Sequence, residues 1–227
     1  MNVILFGATG MVGRGVLREC LLDEAVGSVL VIGRSPLGLA HPKLREIVRA
    51  DPTDLSAAGV DPTGFDACFF CLGVSAAGMK EEAYRRVTYD LTIAVARVLA
   101  AARPGMTFAY VSGEGTDSTE QGRSMWARVK GRTENELLRM PLRAYMFRPG
   151  IVLPQHGVVS RTPLYRAVYA VARPLLVVLR RLAPGLVTTG EQLGRAMVAV
   201  AAPGAGTDLR ILRPRDINRL ARTSPGR

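Results

Sequence analysis

Short apolar runs alternate with amphipathic stretches from the second residue to about residue 150. Asn2 leads into Val3-Ile4-Leu5-Phe6, and residues 2–6 predict a strand. From Met11 to Leu22 the apolar positions Met11, Val12, Val16, Leu17, Cys20 and Leu21 recur at helical steps. Ser28–Gly33 is a second, nearly continuous apolar run, Leu44–Ala50 a weaker third strand and Ala67–Leu72 a fourth. The pattern over Lys80–Arg103 (Tyr84, Val87, Leu91, Val95, Val98, Leu99) predicts a long helix stopped by Pro104-Gly105. Met106–Ser112 is a fifth strand. Gly122–Met140 is a helix closed by Pro141, Leu142–Phe147 a sixth strand and Arg148-Pro149-Gly150 a turn. Asp54 is a candidate cap for a short helix.

Strands without a polar face suit a sheet covered on both sides. Their alternation with helices predicts an α/β, doubly wound, Rossmann-like parallel sheet with right-handed crossovers. The 227 residues fit a single domain, with a core over 1–150 and a small, mainly helical C-terminal extension over 151–227 as a substrate or cap region. In that extension, Thr162–Ala183 has a helical pattern broken at Pro174. Gln192–Ala202 is a helix, Leu209–Leu212 a short strand and Asp216–Ala221 a terminal helix. The apolar 164–183 segment, dotted with Arg166, Arg173, Arg180 and Arg181, has three readings, in order of preference. It is a core-facing or dimer helix, a lid over a hydrophobic substrate, or a peripheral membrane contact.

The first strand runs into Gly7-Ala8-Thr9-Gly10-Met11-Val12-Gly13, the order of a strand, a phosphate-binding turn and a helix N-terminus. Gly7 permits a tight turn, Gly10 lets the backbone approach a diphosphate and Gly13 lets the helix pack close to the sheet. Free N–H groups and the helix dipole favour the anion there. Gly7, Thr9, Gly10, Met11, Val12 and Gly13 are therefore candidate cofactor contacts. The G-x-x-G-x-x-G spacing differs from the usual G-x-G-x-x-G. Arg34 and Ser35 follow the second strand, where an NAD-selective site carries an acid for the ribose 2′-hydroxyl. With no acid there and a guanidinium able to hold a 2′-phosphate, NADP(H) is expected over NAD(H).

Composition narrows the alternatives. Apolar residues make up 48% of the chain, enough for a substantial core. No charge-free stretch exceeds about 13 residues, short of a membrane span. Met1-Asn2 enters a strand with no leader pattern, and a cytoplasmic protein is expected. The net charge is +11, carried almost entirely by scattered arginines beside three lysines, Lys43, Lys80 and Lys130. With one tryptophan and no basic patch interleaved with aromatics, nucleic-acid binding is not expected. Cys68 and Cys71 match C-x-x-C inside an apolar strand, where residues three apart face opposite sides. They read as buried apolar residues, and no metal site is expected. His41 and His156 are isolated and receive no role.

The sequence resembles the short-chain dehydrogenase/reductase superfamily, in its atypical NmrA-like and Tat-interacting-protein-like branch. The resemblance rests on G-A-T-G-M-V-G (Gly7–Gly13), I-G-R at Ile32–Arg34, Asp51, C-L-G at Cys71–Gly73, Y-V-S at Tyr110–Ser112, V-K-G at Val129–Gly131 and F-R-P-G at Phe147–Gly150. It implies that Asp51 meets the adenine, that Cys71, Leu72 and Gly73 border the cofactor and that Ser112 sits beside the nicotinamide. It also implies that Lys130 binds the nicotinamide ribose and that the turn with Pro149 and Gly150 lines the pocket.

One position departs from the family. Its active-site pattern is Tyr-x-x-x-Lys, two residues on one helix face. Here Trp126 stands four residues before Lys130. An indole N–H donates a hydrogen bond but does not act as an acid near neutral pH. Cofactor binding is expected to survive this change, while alcohol–ketone catalysis is expected to weaken by about 10²–10⁴-fold. Tyr89 and Tyr110 are candidate replacement acids, and Ser112 a candidate hydrogen-bond donor to substrate. The expected activity is an NADP(H)-dependent oxidoreductase with a modified proton relay, acting on a small hydrophobic substrate. The alternative is a non-catalytic NADP(H)-binding sensor or scaffold. A homodimer is compatible with either.

Overall fold

The computed structural model describes residues 1–51, 55, 59–153, 187–204 and 207–223. Strands β1 (Asn2–Phe6), β2 (Ser28–Gly33), β3 (Leu44–Val48), β4 (Ala67–Phe70), β5 (Thr107–Val111), β6 (Arg143–Phe147) and β9 (Ile211–Leu212) form one seven-stranded sheet. The order is β3-β2-β1-β4-β5-β6-β9, and every pairing is parallel. The order reverses beside β1, which opens a crevice at the carboxyl ends of β1 and β4. A separate parallel pair joins β7 (Ile151–Leu153) to β8 (Val187–Thr189).

The alternation along each strand divides the core in two. In β1, Val3 and Leu5 face a layer made by α1 (Met11–Leu22), α5 (Gly190–Ala201) and α6 (Pro214–Thr223). Ile4 and Phe6 face the opposite layer, which includes α3 (Leu91–Ala102) and α4 (Met125–Arg139). All four of these β1 side chains are fully buried, so the apolar run reflects cover on both faces. Phe6, Phe70, Phe108 and Tyr110 pack as a row of rings across β1, β4 and β5.

The C-terminal elements complete this core. Strand β9 extends the sheet beside β6, and α5 packs on α1 so closely that a side chain at Gly15 would overlap the Gly190 backbone. Thr189 and Gln192 form a reciprocal capping box at the start of α5.

The long helix expected over Lys80–Arg103 is present as α2 (Glu81–Arg85), a π-helical turn (Arg86–Asp90) and α3. The third strand ends at Val48 and the fourth at Phe70, each two residues earlier than expected. The Thr162–Ala183 pattern, with the 164–183 segment, and the Asp54 cap lie outside the described residues. Among the described residues, no helix is long and apolar enough to cross a membrane.

Candidate dinucleotide site

The first half of the site is made by backbone. Gly7 has φ +81°, and a Cβ there would sit 2.7 Å from the Cys71 carbonyl carbon. Glycine thus solves both the turn and the approach of β1's exit to β4's exit. The Gly10 N–H closes the turn on the Gly7 carbonyl oxygen at 3.0 Å. Helix α1 starts bonding with Arg14 N–H to Gly10 O at 3.0 Å, so the N–H groups of Met11, Val12 and Gly13 lead the helix. No acidic side chain occupies this first turn and no side chain caps it. A Cβ on Gly13 would overlap the Gly7 carbonyl, so this residue serves the helix–sheet contact and reaches an anion through its N–H alone.

A cleft of about 700 Å³ opens from this turn. It is lined by Gly7, Thr9 and Gly10, by Gly33, Arg34 and Ser35 after β2, by Asp51, and by Cys71, Leu72 and Gly73 after β4. The sequence thus places these residues together. Val74, Ser75, Val87 and Leu91 also line it and were not expected. Val87 and Leu91 arrive there from the π turn and the first residue of α3. Arg34 is exposed and makes no ion pair among the described residues. The cleft fits a dinucleotide: its phosphate end is a helix N-terminus free of acids, and a guanidinium stands at its ribose end.

The second half is built by side chains at the ends of β5 and β6. Ser112 is buried, and its Oγ donates to the Phe147 carbonyl at 3.1 Å. The proton expected for a substrate is therefore committed to the neighbouring strand. Lys130, half-buried on α4, donates from Nζ to the Ser112 carbonyl oxygen. Burial lowers its pKa to about 8, with Glu134 opposing the shift. Trp126 lies one turn earlier, with its indole against Gly115: a Cβ on that glycine would stand 3.3 Å from Cη2. Pro149 is buried, and its carbonyl accepts the Glu114 N–H at 2.8 Å, which ties the turn after β6 to the loop after β5. Met11, Val12 and Gly13, among the expected cofactor contacts, and Ser112, Trp126, Lys130, Pro149 and Gly150 all lie outside the lining of the cleft.

Of the two replacement acids, Tyr110 is not placed to serve. Tyr110 is buried in the aromatic row, with burial raising its pKa and its hydroxyl bonded to Thr133. Tyr89 lies under the Arg132 guanidinium, 4.8 Å from ring centroid to Cζ. His41 is exposed, where its Nδ1 accepts the Lys43 N–H at 3.2 Å, and His156 lies outside the described residues. Cys68 and Cys71 point into opposite core layers as free thiols. Among the described residues, no cluster of three or more His, Cys, Asp or Glu could hold a metal ion.

A buried ion pair escaped the sequence reading. Arg148 Nε lies 3.0 and 3.1 Å from the two Glu134 carboxylate oxygens, Nη2 also bonds that carboxylate, and Nη2 reaches Ser118 Oγ at 2.5 Å. Glu134 is fully buried and Arg148 nearly so. The available signal was a glutamate one turn beyond Lys130, on the same helix face. Gly131 has an equally local cause: a side chain there would overlap the Asp117 carbonyl.

A parallel sheet reversing at β1, a glycine turn into a helix, and a serine after β5 whose carbonyl is bonded by a lysine of α4 define an NAD(P)-binding Rossmann-type protein of the short-chain dehydrogenase/reductase kind. No protein-family model matches the chain. The mitochondrial protein fmp52 of Aspergillus clavatus is 31% identical over 163 residues, 68% of each chain. The mitochondrial protein FMP52 of Chaetomium globosum is 27% identical over 242 residues, 98% of this chain and 97% of that one. Rat HTATIP2 is 28% identical over 157 residues, 67% of this chain and 63% of that one. The chain belongs to the FMP52–HTATIP2 family of NmrA-like, atypical short-chain dehydrogenases/reductases.

Solved structures share the fold. The Bordetella bronchiseptica enzyme WbmF in complex with NAD⁺ matches with TM-score 0.67 at 15% identity, covering 96% of this chain and 76% of that one. A Burkholderia thailandensis oxidoreductase of the short-chain dehydrogenase/reductase family matches with TM-score 0.65 at 16% identity, covering 97% and 92%. The relatives overturn the cytoplasmic expectation, since the fungal proteins are mitochondrial by name.

Proposed function

We propose that this chain is an NADP(H)-dependent oxidoreductase that reduces a small hydrophobic acceptor without the usual tyrosine. The observation that carries the reading is the cleft itself. It joins Gly10, at the acid-free N-terminus of α1, to Arg34, which makes no ion pair among the described residues, and Ser35. In this reading the N–H groups of Met11, Val12 and Gly13 hold the diphosphate, Arg34 and Ser35 the 2′-phosphate, and Asp51 the adenosine end. Cys71, Leu72 and Gly73 border the middle of the cofactor. Lys130 meets the nicotinamide ribose, with the Pro149-Gly150 turn beyond it. The reduced cofactor supplies a hydride when bound. Val74, Val87 and Leu91 give the cleft an apolar wall, which supports a hydrophobic acceptor.

A second reading is a dinucleotide-binding sensor or scaffold without turnover. It is favoured by Trp126 at the acid's position and by the commitment of the Ser112 proton to Phe147. One experiment separates the two. NADPH and NADH are titrated against the fluorescence of the single tryptophan, and NADPH oxidation is then followed with quinones, enals and ketones. Tighter binding of NADPH together with turnover supports the oxidoreductase. Tight binding with no turnover on any acceptor supports the sensor. Equal affinity for NADH and NADPH removes the Arg34 argument.

A further inference from the structure

We propose that Arg49, just past the end of β3, is a specificity-determining residue of the dinucleotide cleft, sharing with Arg34 the grip on a 2′-phosphate. This rests on the NADP(H) reading above and adds to it a second cation, supplied by a different strand.

The register sets the two arginines side by side. Strands β2 and β3 run parallel, with Ile32 opposite Ile47 and Gly33 opposite Val48. The ladder continues one step past both strands, because the Arg49 N–H donates to the Gly33 carbonyl oxygen at 2.8 Å. Arg34 and Arg49 come next, on neighbouring backbones about 4.8 Å apart. Ile32 and Ile47 pack in the same core layer, and side chains two residues on return to the same face. Both guanidinium stems therefore start on one side of the sheet, at the carboxyl edge where the cleft opens. Gly33, Arg34 and Ser35 line that cleft from the β2 side, and Ala50 and Asp51 from the β3 side. Half-buried Arg49 is not in the lining, and its long side chain has the width of one residue to cover.

The charges call for a counter-ion. Like charges directly opposite on neighbouring strands destabilise a sheet. Among the described residues, neither arginine makes an ion pair. Glu46, the acid of β3, stands on the alternate side of its strand, where Oε1 accepts the Leu37 N–H at 2.8 Å. A phosphomonoester carries about −1.5 to −2 charges at pH 7 and three strong acceptor oxygens. One guanidinium leaves much of that charge unmatched. Two guanidiniums match it, and each planar fork takes a pair of oxygens. A neutral ribose 2′-hydroxyl gains little from the second arginine, so Arg49 acts on the choice between dinucleotides rather than on their binding in general.

Calorimetric titration of the whole protein with NADPH and with NADH tests this. Arg49→Gln is expected to bind NADPH about tenfold more weakly and NADH within about twofold of the parent. Arg49→Lys, which keeps the charge and loses the fork, is expected to fall between the two. Arg34→Gln/Arg49→Gln is expected to bind the two dinucleotides alike. Adenosine 2′,5′-bisphosphate is expected to displace NADPH from Arg49→Gln about tenfold less well than from the parent, and AMP equally well from both.

NADPH affinity of Arg49→Gln within about twofold of the parent overturns the proposal, and so does an equal loss for NADH and NADPH. If inorganic phosphate raises the thermal midpoint of the parent but not of Arg49→Gln, while NADPH affinity is the same in both, the pair serves free phosphate and the proposal is likewise overturned. In each of these cases a parent that prefers NADPH, and loses that preference in Arg34→Gln, leaves the NADP(H) reading standing. A parent that binds NADH as tightly as NADPH removes that reading, and this proposal with it.

Discussion

The Glu134–Arg148 pair offers a sharp test of how the second half of the site is held. Both partners are withdrawn from water, and the guanidinium meets the carboxylate through Nε and Nη2 while Ser118 accepts a further bond. Glu134→Gln keeps the shape and removes the charge, leaving Arg148 buried without a counter-ion. Breaking one side of a buried pair costs about 3–5 kcal/mol. For a chain of this size each kcal/mol moves the midpoint by about 2–4 °C, so a fall of roughly 6–20 °C is expected. Thermal unfolding followed by circular dichroism measures the fall, and denaturant unfolding the free-energy cost. The double variant Glu134→Leu/Arg148→Met replaces the pair by apolar groups of similar volume and is expected to recover more than half of the loss. If Glu134→Gln costs less than about 1 kcal/mol, or the double variant is as damaged as the sum of its singles, the pair is not the buried, mutually dependent unit described.

Three further outcomes are expected. Arg34→Glu should weaken NADPH binding by about 10–100-fold and leave NADH binding unchanged or tighter, as measured by tryptophan fluorescence; this follows from losing a charge-assisted bond of about 1.5–3 kcal/mol. Gly10→Asp should act in opposite directions. Its backbone conformation suits any residue and an acid is welcome at a helix N-cap, which offsets the tight 3.3 Å approach of the new Cβ to the Gly7 carbonyl oxygen, so stability should change by less than about 1 kcal/mol. NADPH affinity should nevertheless drop more than about tenfold by repulsion of the diphosphate; unchanged affinity would place that group elsewhere. Cys71, whose thiol is pushed up to about 12 by burial, should resist iodoacetamide at pH 8 in the folded protein and react fully once unfolded, with mass spectrometry as the readout.

The strand–helix rhythm was legible because the central strands β1, β2 and β4 are covered on both faces, which leaves unbroken apolar runs such as Val29–Ile32 and Ala67–Phe70, whereas edge strand β3 is half-exposed and gave the weaker signal. The glycine turn was legible for the same local reason, and its neighbours in the sequence are its neighbours in space. What stayed hidden depends on distant pairing. Strands β7 and β8 are three residues each, meet across a long separation and carry no periodic signal. The π turn has no composition of its own, so Val87 read as one more core position when it is exposed and lines the cleft. Ser112 could be placed at a strand end from the sequence, but the acceptor of its proton lies on the next strand, at Phe147. Gly131 looked like a companion of Lys130 and proves to be a contact with Asp117.

Helix α4 is anchored by residues other than Trp126: Ala127 O accepts the Asp117 N–H, Arg128 bonds Glu81, Gly131 packs on Asp117 and Glu134 pairs with Arg148. Residue 126 stands ahead of all of them, is half-buried, and lies against exposed Gly115. The fold therefore places few demands on which side chain sits there. A substitution at residue 126 is therefore expected to change what stands one helical turn from Lys130 while leaving the stability of the domain little altered.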